Sequence, residues 1–409
     1  MPNLLSLNSY HYRRGGSDAV YFDHAKLFEK IGWQNGFFSM HHPRNEDTEW
    51  NKYFIDELEF GSDYSLGQKI SMAGKVIYSF EAQRKLRQLL KHFNADIAHI
   101  HCIYHHLSPS VLPVLKQEGI PVVLTAHDLK LACPAYKMMN SNGVCESCQS
   151  GNYLNLVINR CIHGSTLVSG VVMLEAYVNR LLGSYRKNLS KIVAPSNFFK
   201  TKLIEWGWPE QLISTVPNFI HLNDYRPSYQ PGNYALFFGR LAPEKGVDTL
   251  IKACAKSKTK LLIAGTGPDE EKLKSLATTL KADVEFKGFC KGKALHALVQ
   301  GSRGVVLPSQ WYENAPISIL EAYAFGKTVI GADIGGIPEM IIDGQTGKLF
   351  ESGNVDQLAE ALSALFESED RVLQDQGEFA RRYVEKNYNK ELYLERMLNV
   401  YSSLGVKYA

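Results

Sequence analysis

The sequence lacks any long apolar run and carries little net charge. Glu175, Asn179 and Arg180 interrupt its most apolar long segment, residues 166–182. No stretch reaches about 18 apolar residues, so we expect no membrane-spanning helix. A formal net charge of +3 over 409 residues argues against a nucleic-acid-binding protein. The first residues mix Asn, Ser, His and Arg, which is not typical of a secretory signal, and we expect a cytoplasmic protein.

Internal repeats, low-complexity segments and an Asp-x-Asp motif are also absent from the sequence. The composition is that of a soluble globular protein, with 45% apolar residues. For 409 residues, two α/β domains of about 200 residues each are the natural partition. Residues 221–232 contain Pro227 and Pro231 among polar side chains, so they are the predicted interdomain linker.

Two glutamates flank a predicted helix start in the C-terminal half. The apolar run 304–308 predicts a buried strand, and the run 317–325 predicts a helix. Glu313 therefore lies on the loop beyond the carboxyl end of a strand, and Glu321 lies within the next helix. Ligands of open α/β sheets bind in that crevice, where the N–H groups of a helix start favour an anion such as a diphosphate. The alternative is a pair of solvated surface glutamates.

Further strand-to-loop junctions of the same kind surround this one. They are a strand ending in Gly239-Arg240 with Lys245 five residues on, a strand entering the turn 265–267, a strand ending at Gly288, and the loop 335–336 after the strand 328–331. This order resembles the nucleotide-binding half of retaining glycosyltransferases of family 4. The resemblance covers most of the chain and is densest in residues 234–350. It implies the GT-B fold, an α/β architecture in which two Rossmann-like domains face each other across a deep cleft.

The resemblance divides the chain into three structural parts and a linker. It implies an acceptor-binding domain in residues 1–220 and a nucleotide-sugar-binding domain in residues 233–385, joined by the linker 221–232. Residues 386–409 are helical in pattern, and in GT-B proteins such a helix crosses back to pack on the first domain.

The N-terminal half matches the family less densely. Residues 1–7 predict a first strand, and a helix is predicted over residues 19–31 with Ser17 as its N-cap. Gly15 and Gly16 precede this helix and would let a phosphate or sugar approach the backbone. A Gly-Gly pair alone is usually only a turn. In the family, the matching loop lines the donor site.

His127 is the most informative residue of the first half. It follows the strand predicted over residues 121–125, which places it in the same kind of crevice as Glu313. A lone histidine is more often a structural hydrogen-bonding residue. In the family, the matching histidine contacts the donor sugar, and its backbone carbonyl lies near the anomeric carbon.

The charges of the loop after residue 239 suit the departure of a nucleoside diphosphate. Arg240 can hold two phosphate oxygens and Lys245 supplies a point charge, so both would stabilise the negative charge that develops on the leaving group. Surface salt bridges are the alternative role for both. The pair would replace a catalytic metal, so no cofactor is expected for catalysis.

The resemblance assigns the remaining donor contacts. Glu321 would accept hydrogen bonds from the ribose and Glu313 would bind a hydroxyl of the transferred sugar, so that His127, Glu313, Arg240 and Lys245 form the predicted catalytic set. The other predicted donor-binding residues are Gly15, Gly16, Phe289, Cys290, Lys291, Asn314, Ala315, Ile317 and Glu321. The implied reaction moves a hexosyl group, with uridine diphosphate the favoured carrier, to a hydroxyl with retention of configuration.

Four cysteines, Cys133, Cys145, Cys148 and Cys161, are spaced C-x11-C-x2-C-x12-C. This spacing is compatible with a structural zinc site, with His163 as a further candidate ligand. Unliganded thiols and disulfides are the alternatives, and disulfides are disfavoured without an export signal.

The acceptor is less well defined by the sequence. Histidines cluster after the strand predicted over residues 96–100, and we expect His101 or His106 to contact the acceptor, with metal binding as the alternative. Basic and apolar residues mix in 84–91 and 180–187, which could be ordinary amphipathic core helices or a peripheral contact with the inner face of the plasma membrane.

The family points to a glycan or lipid-linked glycan acceptor in polysaccharide assembly. Three other functions stay open on the same fold: a nucleotide-sugar epimerase, a phosphorylase, and a non-catalytic sugar-nucleotide-binding module. A phosphorylase would need a pyridoxal lysine in its own motif context, which the sequence does not show.

Overall fold

The computed structural model describes residues 1–57 and 66–407, and two parallel sheets dominate it. Apolar runs alternate with amphipathic segments in the first half, and they form strands and helices in turn. In chain order these are β1 (Asn3–Leu7), α1 (Gly16–Lys30), β2 (Gln34–Phe38), α2 (Leu66–Ile77), α3 (Phe80–Leu90), β3 (Ile97–Ile100), α4 (Val111–Gln117), β4 (Val122–Thr125), β5 (Met139–Asn140), β6 (Gly143–Val144), α5 (Asn155–Ile158), α6 (Thr166–Leu182), β7 (Lys191–Ala194), α7 (Asn197–Glu205) and β8 (Ile213–Thr215).

The second half repeats the alternation with shorter loops and ends in three helices. Its elements are β9 (Ala235–Phe238), α8 (Val247–Ser257), β10 (Leu261–Ala264), α9 (Glu270–Leu280), β11 (Val284–Gly288), α10 (Lys293–Gln300), β12 (Gly304–Leu307), α11 (Ile317–Ala324), β13 (Val329–Asp333), β14 (Gly347–Glu351), α12 (Val355–Glu367), α13 (Asp370–Asn387) and α14 (Lys390–Ser402). None of the helices in the described part of the chain has the length and apolarity needed to cross a membrane.

Each sheet has six parallel strands and one point at which the strand order reverses. The first sheet runs β2-β1-β3-β4-β7-β8, and the second runs β11-β10-β9-β12-β13-β14. The second order is that of a dinucleotide-binding Rossmann sheet. The loops after β9 and β12 therefore open side by side at the reversal in the second sheet. In the first sheet, the loops after β1 and β3 do the same. This arrangement confirms the predicted α/β class with two Rossmann-like sheets.

The central strands are buried on both faces because helices cover both sides of each sheet. All four residues of β3, β4, β10 and β12 are buried. Strands in such a position read as continuous apolar runs rather than as an alternation, which is why these runs were recognisable in the sequence.

The last helix returns to the first sheet. In α14, Tyr393, Met397, Val400 and Tyr401 are buried. They belong to one apolar cluster with Leu4, Leu27, Phe28, Trp33 and Ile97 of the first domain. The chain therefore crosses between the domains twice. The first crossing is made by residues 216–234, which run from the first sheet to the second and contain only a short 3-10 turn, Leu222–Asp224. The second crossing leads into α14. Positions 408 and 409, included in the predicted last segment, lie outside the described residues.

The predicted N-cap of the first helix is wrong. Helix α1 begins at Gly16 with Gly15 as its N-cap, so Ser17 lies inside the first turn. The reason is the buried Asp18, whose Oδ2 accepts the backbone N–H of Gly15 at 3.2 Å and closes the turn one residue before Ser17 could do so.

Candidate active site

An ion pair lies at the strand-order reversal of the second sheet. Lys245, after β9, places its Nζ 2.6 Å from Oε1 of Glu313, after β12. The two loops diverge from neighbouring strands, so their side chains converge above the sheet edge, as expected for a ligand site of an open α/β sheet. Lys245 also lies 5.1 Å from the centre of the Trp311 ring.

Glu313 is held ionised in a buried position. Burial alone would raise the pKa of its carboxyl, but the charge of Lys245 and hydrogen bonds outweigh burial and lower the pKa below the ordinary glutamate value. Ser309 contributes by donating its Oγ–H to Glu313 Oε1 at 2.7 Å. Sequence reasoning missed Ser309, although its position two residues after β12 was the available signal.

The loop 335–336 packs against the backbone of Glu313. Gly335 has φ +63°, and a Cβ on it would lie 2.4 Å from the carbonyl oxygen of Glu313. Gly336 donates its backbone N–H to that same carbonyl at 2.8 Å. Only glycine allows this approach, so the Gly-rich loop noted in the sequence fixes the backbone that carries the carboxylate.

Arg240 differs from Lys245 in having no fixed partner. It is exposed in the loop after β9, and it makes no hydrogen bond or ion pair with any residue that the structure describes. The loop therefore offers one paired cation and one unpaired cation at the edge of the cleft. Such an arrangement attracts an anionic ligand.

Glu321 lies within α11 and is separate from the Lys245–Glu313 pair. Its Oε1 accepts a hydrogen bond from the Tyr225 hydroxyl at 3.2 Å. Burial raises the pKa of Glu321 to about 7, and the Tyr225 bond lowers it only in part. The two glutamates thus have opposite electrostatic settings: Glu313 is stabilised as an anion and Glu321 titrates near neutrality.

The predicted base-binding residues lie at the other end of the sheet edge. Phe289 is 71% exposed directly after β11, Cys290 is half-buried and Lys291 is exposed. β11 is separated from β12 by β10 and β9. A ligand contacting both Phe289 and Glu313 must therefore span the edge of four strands, as an extended nucleotide sugar would.

Residues Asn314 to Ile317 face the first domain. Asn314 donates its Nδ2–H to the carbonyl of Ala126 at 2.8 Å, and a weaker bond at 3.5 Å reaches the carbonyl of His127. A Cβ on Gly16 would lie 3.4 Å from Ile317 Cδ1, so the Gly15–Gly16 turn meets the start of α11. Ala315 is buried, and its carbonyl accepts the Asn218 Nδ2–H at 3.2 Å. The structure thus gathers the predicted residues of both domains at one cleft.

A chain of buried histidines leads inward from His127. The Nε2 of His127 lies 2.8 Å from Nδ1 of His101, and the two rings stack with centres 5.0 Å apart. His101 stacks in turn on His99, which packs against His24. Burial lowers the pKa of His127 to about 4 and that of His101 well below its ordinary value, so both rings are neutral at physiological pH.

These contacts change what the first-domain histidines can do. His101 is almost fully buried and bonded to His127, which does not favour the direct acceptor contact predicted for it, and that contact stays a prediction. His106 is also buried, with its Nε2 3.1 Å from the Tyr10 hydroxyl. Sequence reasoning did not anticipate Asn8, which follows β1 and donates to Asp18 Oδ1 at 2.9 Å, bracing the Gly15–Gly16 turn.

The four cysteines of the C-x2-C group lie in one neighbourhood. Burial and the neighbouring thiols raise the pKa of Cys148 to about 12 and that of Cys161 to about 11. All seven cysteines are free thiols. Among residues 1–57 and 66–407, no group of three or more His, Cys, Asp or Glu side chains is arranged to hold a metal ion. The geometry therefore lends the zinc alternative no support, and zinc stays a prediction.

Fold and site together define a protein of two Rossmann-like domains with a cleft between their sheets. Residues 14–224 match the model of glycosyltransferase family 4, and residues 224–390 match that of glycosyl transferases group 1. The chain therefore belongs to glycosyltransferase family 4, and it is a glycosyltransferase of the GT-B type. The family resemblance seen in the sequence is confirmed.

Individual relatives are distant. A Klebsiella pneumoniae protein described as an uncharacterized 42.6 kDa protein in the cps region is 26% identical over 83% of this chain and 87% of its own. A GDP-mannose-dependent mannosyltransferase of Corynebacterium glutamicum, which acts on a monoacylated phosphatidylinositol monomannoside, is 33% identical over 40% of this chain and 45% of its own. Several other relatives also match over only 40–53% of their length.

Solved structures share the fold at low identity. Anabaena Alr3699/HepE, in complex with UDP and glucose, superposes with a TM-score of 0.69 at 18% identity, covering 98% of this chain and 100% of that one. A sucrose-phosphate synthase of Thermosynechococcus elongatus gives a TM-score of 0.74 at 18% identity, with 99% of each chain covered.

Proposed function

We propose that this protein moves a hexosyl group from a nucleoside-diphosphate sugar to a hydroxyl of a glycan or lipid-linked acceptor, with retention of configuration and without a catalytic metal. UDP is the favoured carrier. The observation that carries the proposal is the cation pair Lys245 and Arg240 at the strand-order reversal, with Glu313 and the start of α11 beside it. The UDP complex of the Anabaena structure supports the choice of carrier.

The proposed mechanism is electrostatic. Cleavage of the sugar–phosphate bond places extra negative charge on the diphosphate, and Lys245 and Arg240 would stabilise that charge more than the ground state. Two cations and the N–H groups at the start of α11 would supply what a metal supplies elsewhere. Glu313 would hold a hydroxyl of the transferred sugar, since its pKa is lowered and it stays a hydrogen-bond acceptor.

The remaining proposed contacts are with the ribose, the base and the sugar of the donor. Glu321 would accept the ribose hydroxyls, and Phe289, Cys290 and Lys291 would meet the base. His127 would contact the donor sugar, and its carbonyl faces Asn314 across the cleft. The acceptor hydroxyl would attack on the face from which the diphosphate departs, and a phosphate oxygen would take its proton, so the configuration is retained.

The acceptor and pathway are proposed from chemistry shared with relatives. A relative that transfers mannose to a phosphatidylinositol monomannoside supports a glycan or lipid-linked glycan acceptor, and we propose that the product is used in polysaccharide assembly. For such an acceptor, we propose that the enzyme acts in the cytoplasm, in contact with the inner face of the plasma membrane.

A ligand-binding screen with a chelation arm tests the proposal. UDP-, GDP- and ADP-linked hexoses are compared by saturation-transfer NMR, and transfer to a glycan acceptor is then measured with and without a strong chelator. We expect UDP-hexose binding and unchanged transfer after chelation. Loss of activity on chelation with rescue by manganese would refute metal-independent transfer. Conversion of the donor sugar without any acceptor would indicate an epimerase instead.

A further inference from the structure

Helix α6 is oriented with its polar side inward. Its buried residues are Ser169, Val172, Glu175 and Asn179, three of which are polar. Its leucines point to solvent instead: Leu167 is 85% exposed, Leu174 51% and Leu181 83%. A surface helix of a globular protein ordinarily does the reverse, because burying leucine rather than leaving it in water contributes about 1.5–3 kcal/mol.

The exposed leucines form one continuous stripe. They are spaced by seven residues, so they lie on the same face of the helix. Helix α5 packs beside α6 and adds further exposed apolar side chains. We name this region the α5–α6 surface; its members are Leu154, Ile158, Leu167, Val168, Leu174, Tyr177, Leu181 and Leu182.

The inverted orientation is fixed by contacts on the inner side. Glu175 is almost fully buried, and its Oε2 accepts a bond from Lys130 Nζ at 2.9 Å. Ser165 caps the helix start by accepting the Val168 N–H, and Gly183 ends it in a left-handed conformation. Rotating α6 to bury its leucines would expose the ion pair, so the apolar stripe is a built feature of the fold.

The segment that carries this surface is mostly basic, and two of its lysines, Lys200 and Lys202, are paired with glutamates that lie outside the segment. From residue 147 to residue 204 the only acidic residue is Glu175, which is buried and paired. Seven basic residues occupy the same stretch: Arg160, Arg180, Arg186, Lys187, Lys191, Lys200 and Lys202. Arg160 and Lys187 are exposed, and neither has an ion-pair partner among the residues that the structure describes.

We propose that the α5–α6 surface docks on an anionic lipid bilayer. Exposed leucines next to unpaired cations match the acyl and headgroup layers of such a bilayer. A second copy of the chain would bring like charges together, which disfavours it as the occupant. The inference deepens the proposed function, since Lys130 lies three residues after His127 and ties the docked helix to the cleft that would receive a lipid-linked acceptor.

Vesicle co-sedimentation of the full chain tests the proposal. Phosphatidylcholine vesicles, with or without phosphatidylglycerol, are the probes, and no sugar nucleotide is present. We expect binding to the anionic vesicles that weakens with added salt. Leu167→Gln/Leu174→Gln/Leu181→Gln should lower the bound fraction at least about tenfold, because three apolar insertions are lost. The matched control Ile31→Gln/Leu280→Gln/Val372→Gln changes three exposed apolar residues elsewhere and should bind like the wild type.

A charge variant and a folding check separate the alternatives. Arg160→Gln/Lys187→Gln should reduce the preference for anionic over neutral vesicles, and thermal melts of all variants should match the wild type. Wild-type protein that ignores anionic vesicles, or a triple leucine variant that binds them undiminished, would overturn the proposal. So would a wild-type dimer in solution that the leucine variant dissociates. Failure of the transferase assignment alone leaves vesicle binding unchanged, and loss of vesicle binding alone leaves donor binding unchanged.

Discussion

Lys245 and Arg240 carry the positive charge of one loop in different ways. Lys245 is bonded to the buried Glu313 at 2.6 Å, whereas Arg240 is exposed and unpaired among the described residues. A free guanidinium can reorient toward a diphosphate and hold two of its oxygens. Lys245 must share its charge between Glu313 and the ligand. Replacing Arg240 and replacing Lys245 should therefore have different effects on turnover and on stability.

We expect Arg240→Ala to lower turnover about a hundredfold, because a contact that strengthens as phosphate charge develops acts on the rate constant. Arg240→Lys should recover only part of this, since the two-pronged grip is lost. Turnover and Michaelis constant are measured for both variants. A raised Michaelis constant with unchanged turnover would show that Arg240 only holds the donor.

Lys245→Ala should lower the stability of the fold as well as turnover. Without the lysine, burial raises the pKa of Glu313, so the carboxylate is no longer stabilised as an anion. Lys245 thus stabilises the fold above the ordinary glutamate pKa, and this contribution is lost as pH falls through the lowered pKa of Glu313. We expect the thermal destabilisation of Lys245→Ala to be largest at neutral pH and to shrink as the pH falls below the ordinary glutamate pKa of 4.5. Equal destabilisation at pH 7 and pH 3.5 would contradict the pairing.

Glu321 has the opposite effect on the pH dependence of stability, because its pKa is raised rather than lowered. Its pKa is raised from the ordinary value of 4.5 to about 7, so it costs stability as pH rises through that range. A shift of this size corresponds to roughly 3 kcal/mol at alkaline pH. Glu321→Gln should therefore raise the unfolding free energy of the unliganded protein at pH 8 and change it little at pH 4, measured by chemical denaturation. A loss of stability at pH 8 would reject this view.

The same glutamate should divide roles with Glu313. If Glu321 accepts the ribose hydroxyls, Glu321→Ala weakens binding of free nucleoside diphosphate as well as of the donor. Glu313→Ala should spare the free nucleotide and lower turnover of the full donor. Calorimetry with both ligands decides this, and equal loss of free-nucleotide affinity in the two variants would contradict the division.

Site residues were predictable where they follow strands. Glu313 and His127 lie on the loops that follow apolar runs, and parallel strands direct their carboxyl ends to one edge. The hydrogen-bond partners of the site residues were not predictable. Tyr225 is 96 positions from Glu321, and Ser309 acts on Glu313 through a turn that no periodicity reveals. The inward path from His127 to His101 was not predictable either, because the two histidines follow different strands, β4 and β3, and are 26 positions apart.

At the scale of elements, α14 ties the end of the chain to the first sheet through tyrosines. The Tyr401 hydroxyl lies 2.5 Å from His99 Nδ1 and 2.8 Å from His24 Nε2, and the Tyr393 hydroxyl lies 2.9 Å from His24 Nδ1. The sequence pattern favoured a returning helix, but it could not identify these partners, because His24 and Tyr401 are 377 positions apart.

Removing the two hydroxyls should have unequal effects. Tyr401→Phe leaves two buried ring nitrogens unpaired and Tyr393→Phe leaves one, at roughly 1–3 kcal/mol each. Tyr401→Phe should therefore lower the free energy of unfolding more than Tyr393→Phe, as measured by denaturant titration. Both variants keep the aromatic ring, so packing is matched. Equal losses, or a larger loss for Tyr393→Phe, would show that the hydroxyl contacts do not hold the helix.

At the scale of the molecule, contacts across the cleft hold the two domains together. Lys137 pairs with Glu244 at 3.3 Å, and Tyr312 donates its hydroxyl to Glu146 at 2.9 Å. Two domains and a cleft could be predicted from the alternation of strands and helices and from the family resemblance. The bridging side chains could not, because Asn314 and its partner Ala126 are separated by 188 positions and their meeting depends on the angle between the domains.

Glu339 is the cross-domain contact most suited to regulate closure. Its carboxylate accepts the backbone N–H of Asn197 at 2.8 Å and that of Phe198, so it caps the start of α7 from the opposite domain. An anion at a helix start is favourable by about 1 kcal/mol, and Glu339 is exposed, so its loss should leave each domain folded.

We expect Glu339→Gln to shift the protein about fivefold toward the open form, because one kcal/mol corresponds to that factor. Opening admits water, so the fraction of donor hydrolysed rather than transferred should rise, and the radius of gyration from X-ray scattering should increase. The matched control is Glu360→Gln, another exposed glutamate, on α12 and with no partner in the first domain among the described residues. Hydrolysis and radius of gyration that match the control would mean that the cap does not govern closure.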